Sequence, residues 1–119
     1  MIIDKQQDII EVSQGRTKYI TVVCKNKYTG QTYTLQEGDV IRFGVRPQFD
    51  SKYIIFKTLT SANEVNNKYP LCLTPEDTNI PARRYFYDCS VELANGSCFD
   101  IVKAQYFMVT NSVTHKGDE

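Results

Sequence analysis

From Arg83 to Leu93 the chain alternates without a break. Tyr85, Tyr87, Cys89, Val91 and Leu93 take one side, and Arg84, Phe86, Asp88, Ser90 and Glu92 take the other. A period of two over that length describes a half-buried strand and fits no helix. Asn95-Gly96 follows directly and marks a hairpin, because both residues accept the positive φ that tight hairpin turns demand. A two-residue loop would set Val91 opposite Asp100. A three-residue loop, Ala94-Asn95-Gly96, with Gly96 left-handed at a bulge, sets Leu93 opposite Ser97, Val91 opposite Phe99 and Cys89 opposite Ile101. The second register keeps apolar residues on one face and is the one expected. Beyond a kink at Lys103-Ala104-Gln105, Phe107 and Val109 hold the inward parity.

The remaining segments read as short strands separated by turn chemistry. Asp8 to Val12, Arg16 to Lys25, Val40 to Arg46, Lys52 to Thr60 and Tyr69 to Leu73 are each rich in β-branched or aromatic residues, and Gln31 to Leu35 is a candidate edge strand. In Arg16 to Lys25 the two faces are almost equally apolar, so the inward side is open. Before Arg83, Thr74-Pro75-Glu76-Asp77-Thr78 combines an N-cap threonine, a proline at the first helical position and an aspartate placed to close a capping box. One short helical turn is expected there, ended by Ile80-Pro81. About seven to eight strands at this spacing predict an all-β domain, an antiparallel β-sandwich, with a small closed barrel as the other arrangement. The tail from Asn111 to Glu119 has no pattern and is expected to fray.

With 119 residues the chain has the length of one domain, residues 1–119, with an ordered core over about 4–114. Lysine plus arginine and aspartate plus glutamate both number 14, so there is no cationic excess to neutralise phosphates and nucleic acid is not an expected partner. The first residues, Met1-Ile2-Ile3-Asp4-Lys5, carry charge before any signal-length apolar run, and no run approaches a membrane span. Neither secretion by a signal peptide nor a membrane is expected.

Catalytic and metal chemistry find little support. Cys24, Cys72, Cys89 and Cys98 form no C-x-x-C pair, and His115 is the only histidine. No Gly-x-Ser-x-Gly or glycine-rich phosphate loop is present. Asp88 and Glu92 share an outward face, but four residues of strand separate them by roughly 13 Å, too far for a glycosidase pair. No cofactor, no metal and no enzymatic activity are expected.

Two resemblances add to this reading. Pro75-Glu76-Asp77-Thr78 followed by Tyr87-x-Cys89 resembles the immunoglobulin-type junction, in which a tyrosine bonds back to the corner before its strand. That likeness implies a sandwich and opens an inter-sheet Cys24–Cys89 disulfide, against which stand the reduced thiols expected of a cytoplasmic protein. The second spans roughly Asp4 to Thr114. Gly38-Asp39-Val40-Ile41-Arg42-Phe43-Gly44-Val45, then Leu71-x-Leu73-Thr74-Pro75-Glu76-Asp77-Thr78, then Tyr85-x-Tyr87-Asp88 leading to Leu93-Ala94-Asn95-Gly96, then Phe107-x-Val109-Thr110 and Val113-Thr114, are similar in order and spacing to a bacteriophage family. That family is the N-terminal domain of baseplate upper proteins and related minor tail or structural proteins of phages and prophages. The resemblance implies an immunoglobulin-like β-sandwich in the virion, made in the host cytoplasm. It also implies contacts with other phage structural proteins and several copies in the particle.

The residues expected to carry such contacts are those for which solvation alone is an incomplete explanation. Phe86 points away from the core in mid-strand, as a residue under a loop or at the centre of a subunit contact would. Arg42 and Arg46 share an outward face, either to meet an acidic partner or to solubilise an edge. Tyr28 and Tyr33, near a turn, are the candidates for an alternative function, a carbohydrate- or cell-surface-binding module.

Overall fold

The fold was analysed in a computed structural model, which describes residues 3–4, 9–26 and 28–111. In chain order the strands are β1 (Ile3–Asp4), β2 (Ile10–Ser13), β3 (Lys18–Val22), β4 (Lys25–Asn26), β5 (Val40–Arg46) and β6 (Ile55–Thr60). They continue with β7 (Tyr69–Leu73), the helical turn α1 (Pro75–Thr78), β8 (Arg83–Glu92) and β9 (Cys98–Thr110). A five-stranded sheet has the order β2-β9-β8-β5-β6, the pair β3-β7 forms a second ladder, and β1 pairs with β4. The segment after Asn111, expected to fray, and His115 within it lie outside the described residues.

The hairpin has the three-residue geometry. Leu93 N–H donates to the Ser97 carbonyl at 2.7 Å, Gly96 N–H donates to Leu93 at 2.8 Å, and Gly96 sits at φ +93°. Val91 pairs with Phe99 as expected, but Cys89 faces Val102 and not Ile101. A bulge between Ser90 and Cys89 sends both Ile101 and Val102 into the core, which alternation alone cannot do. A second shift sets Asp88 against Lys103 and Ala104, at the predicted kink.

The sheet is mixed, which corrects the all-antiparallel expectation. β2 runs parallel to β9, with Ile10 beside Phe107 and Val12 beside Val109. No tight turn links these two strands, so connection length imposes no direction, and parity puts Ile10 and Val12 into the core beside their partners. The long strand expected from Arg16 to Lys25 breaks into β3 and β4. Its inward side is Ile20, Val22 and Cys24, while Tyr19 is 74 % exposed. Gln31 to Leu35 contributes an isolated bridge at Thr32 and no strand, and β6 begins only at Ile55.

The core lies between the inner face of the five-stranded sheet and the β3-β7 ladder. Ile41, Phe43, Val45, Val91 and Phe107 meet Val22, Tyr69, Leu71 and Leu73 there. α1 closes one end with the capping box read from the sequence: Asp77 N–H donates to Thr74 Oγ1 at 3.2 Å and Thr74 N–H to Asp77 Oδ2 at 2.8 Å. The tyrosine that bonds back to the preceding corner is Tyr85, whose hydroxyl donates to the Pro81 carbonyl at 2.6 Å. Tyr87, expected in that role, packs in the core against Phe43.

Candidate functional site

The outer face of the five-stranded sheet carries the most unusual surface of the molecule. Strand parity that buries Ile41, Phe43 and Val45 turns Arg42, Gly44 and Arg46 outward, and the register sets Arg46 beside Phe86 and Phe86 beside Tyr106. The loop between β5 and β6 folds back over this row. Phe49 brings its ring to 4.3 Å from that of Phe86, and Tyr106 lies 5.6 Å from Phe86 on the other side. With Ala104 and Gln105 these rings line a shallow depression of about 230 Å³. Ala104, one of the two residues opposite Asp88 at the bulge, is small and leaves that side of it low.

One strand further across, Tyr53 lies flat on the sheet because Gly44 has no side chain. A Cβ at that position would sit 2.4 Å from the tyrosine ring. The Tyr53 hydroxyl donates to Asp88 at 2.9 Å, Arg46 stacks 5.0 Å above the Tyr53 ring, and the Arg46 guanidinium reaches Asp88 at 3.5 Å. Burial, against the Tyr53 hydrogen bond and the Arg46 charge, holds the Asp88 carboxyl above its ordinary value. Phe56, opposite Gly44 on the edge strand, stands 51 % exposed with its ring 5.5 Å from that of Tyr53. Arg42 pairs with Glu92, and Arg84 stacks 4.6 Å from the Tyr106 ring.

Of the residues singled out in the sequence, Phe86, Arg42 and Arg46 therefore share this face. Tyr28 and Tyr33 are not part of it. Tyr28 is exposed in its turn, whereas Tyr33 is half-buried against the core with its hydroxyl on Asp39 Oδ2 at 2.6 Å, a packing role. Phe49, Tyr53, Phe56 and Tyr106 were missed by sequence reasoning. Phe56 was legible in outline, since it shares the parity of Thr58 and Thr60; Phe49 carries no periodic signal, and Tyr53, expected in a strand from Lys52, lies in the loop ahead of β6.

A second, smaller cavity of about 50 Å³ lies between the layers, lined by Ile20, Val22, Phe43, Cys89 and Val102 among others. Its lining is mainly apolar, and it is far below the size of a pocket that holds an organic ligand. Cys24 and Cys89 are both buried as free thiols, and burial pushes them up to about 11 and about 12. They are poor nucleophiles and poor metal ligands in that state. Among the described residues no three His, Cys, Asp or Glu side chains converge as a metal site requires, and no helix is long and apolar enough to cross a membrane.

Comparison with known proteins leaves the site to be read from its own geometry. No family model matches the chain, and no curated protein is similar to it. Among solved structures, an uncharacterized protein from Bacillus anthracis str. Ames is similar over 92 % of this chain and 85 % of its own, at 10 % identity and a TM-score of 0.44. A likeness of that size carries no argument.

Proposed function

We propose that this chain is a non-enzymatic structural protein of a phage or prophage particle, an assembly and attachment module of the baseplate or tail. The observation that carries the attachment reading is the aromatic outer face. Phe49, Tyr53, Phe56 and Tyr106 are each more than a third exposed, in two ring clusters bridged by Arg46, on a sheet whose opposite face is the core. Exposed patches of this kind, with aromatics bordered by paired charges, have the composition of protein–protein contacts. The phage setting, and with it a place in the virion, rests on the sequence resemblance.

The finer fold we assign is an immunoglobulin-like sandwich. β3-β7 corresponds to the B–E pair and β9-β8-β5-β6 to strands G, F, C and C′, with α1 and the Tyr85 bond at the E–F corner. β2 and β6 end the larger sheet, with no described strand beyond either, so strand addition by a neighbour is a further route to contact.

Co-expression with the proteins encoded beside this gene, followed by affinity purification, tests the function. A defined neighbour should co-purify, and the Phe49→Ser, Tyr106→Ser double variant should lose it while remaining folded. Failure of every neighbour to bind the intact chain would sink the assignment. The 230 Å³ aromatic depression also favours a second reading, a carbohydrate-binding module in which a sugar ring stacks on Phe86 or Tyr106. That reading expects glycan binding abolished by Tyr106→Ala and unaffected by Tyr28→Ala.

A further inference from the structure

We infer that the partner of the aromatic face is a second copy of this chain, in an isologous dimer that seats Phe56 of each copy in the Phe49–Phe86–Tyr106 depression of the other. The inference rests on the attachment reading and names who is attached.

The face is complementary to itself. It carries a hole, open over Ala104 between Phe49 and Tyr106, and a knob, Phe56, raised on the edge strand beside Tyr53. Phe86 on β8 and Ala104 on β9 lie two and three strands from Phe56 on β6, so hole and knob lie roughly 12 to 14 Å apart across the sheet. A twofold axis in the contact plane, midway between them, places each knob over the opposite hole and closes the assembly at two copies. A partner with an unrelated surface would need only one of the two features.

Charge and area agree with a like partner. Within the chain Arg42 is paired with Glu92, Arg46 with Asp88, and Arg84 stacks on the Tyr106 ring, so the arginines around the aromatic group already have partners. Equal numbers of basic and acidic residues, 14 each, leave two copies without net repulsion. The exposed fractions of Phe49, Tyr53, Phe56 and Tyr106 amount to roughly 400 Å² on the area scale of aromatic side chains. That suits the apolar centre of a contact burying about 800 Å² per partner, with the two ion pairs in its polar rim.

Sedimentation velocity from roughly 1 to 300 μM tests the dimer through three proteins: the natural chain, Phe56→Ser without the knob, and Ala104→Trp with the hole filled. Both substitutions are at exposed positions, and circular dichroism with a thermal melt checks that each variant folds; Phe49→Lys replaces Ala104→Trp if it does not. The natural chain should dimerise, and each variant alone should weaken dimerisation at least about thirtyfold, as loss of a central contact does. An equimolar mixture of the two variants should associate more tightly than either alone, because the knob of one meets the intact hole of the other. A natural chain that stays monomeric at every concentration overturns the dimer, yet leaves the attachment reading standing if a neighbouring protein still co-purifies. Dimerisation unchanged in both variants, or a mixture no tighter than its parts, overturns the knob-in-hole contact as well.

Discussion

Asp39 Oδ1 accepts the backbone N–H of Ala94 at 2.8 Å, joining the start of β5 to the β8–β9 turn across 55 positions of the chain. The other carboxylate oxygen takes the Tyr33 hydroxyl at 2.6 Å and the Gln36 N–H at 2.8 Å. Gly38, at φ +94°, lets the chain pass so close that a Cβ would lie 2.8 Å from that of Ala94. Asp39 is 3 % exposed, so its carboxylate is held by these three donors with little help from solvent.

Asp39→Ala is expected to cost about 3 kcal/mol at neutral pH, measured by urea unfolding, because several donors lose a charged acceptor together. Burial alone would raise this carboxyl, but the bonds from Tyr33, Gln36 and Ala94 outweigh it and hold it below the ordinary value. A depressed folded value means the contribution is complete above the unfolded carboxylate range, near about 3.9, and is lost as pH falls through the folded value. The difference between the natural chain and Asp39→Ala should therefore shrink below that range. A gap independent of pH would show that the ionised carboxylate is not its source.

Tyr85→Phe removes the hydroxyl that donates to Pro81 and should cost about 1 kcal/mol, the net worth of one partly buried hydrogen bond. Thermal unfolding reads it. No change in melting temperature would mean that the corner before β8 holds without this bond.

Gly44→Ala should act on Tyr53 more than on stability. The ring must move from above position 44, while alanine in a strand recovers some of the entropy lost by glycine, so stability should stay within about 1 kcal/mol. In the natural chain burial, then the hydrogen bond to Asp88, holds the Tyr53 phenol above its ordinary value, with Arg46 acting in the opposite sense. Displacement should bring it back towards about 10, seen as an earlier rise of phenolate absorbance in alkaline titration. An unshifted titration of Tyr53 would show that its ring keeps its place.

The thiols make a separate check. Cys72 and Cys98 are exposed and should react promptly with an aromatic disulfide reagent at mildly alkaline pH, while buried Cys24 and Cys89 should react only on unfolding. Two thiols before denaturation and four after it are expected. Two before and two after would mean that Cys24 and Cys89 are joined.

Local pattern carried the sequence reading furthest. The alternation in β8 set its inward face, Asn95-Gly96 set the turn, and Thr74 to Asp77 set the capping box, because each depends on residues within one turn or one strand pair. For the same reason Phe86, Arg42 and Arg46 could be placed on the outward side from the sequence. Whether that side was bare or covered could not be, since Phe49 lies in a loop whose path no periodicity describes and Tyr53, expected in a strand from Lys52, lies ahead of β6.

What the sequence determined by itself, then, was the all-β class, the parities of β5 and β8 and the hairpin register near its turn. Tertiary structure decided the rest. It placed β2 parallel on the edge of β9, a pairing between distant segments that no local signal directs. It introduced the bulges that turn Ile101 and Val102 inward together and leave Ala104 low beneath the aromatic rings. It also brought Phe49, Phe86 and Tyr106 into one depression, because a side chain's neighbours across a sheet are fixed by strand order and register, and strand order is settled only when the whole core is packed.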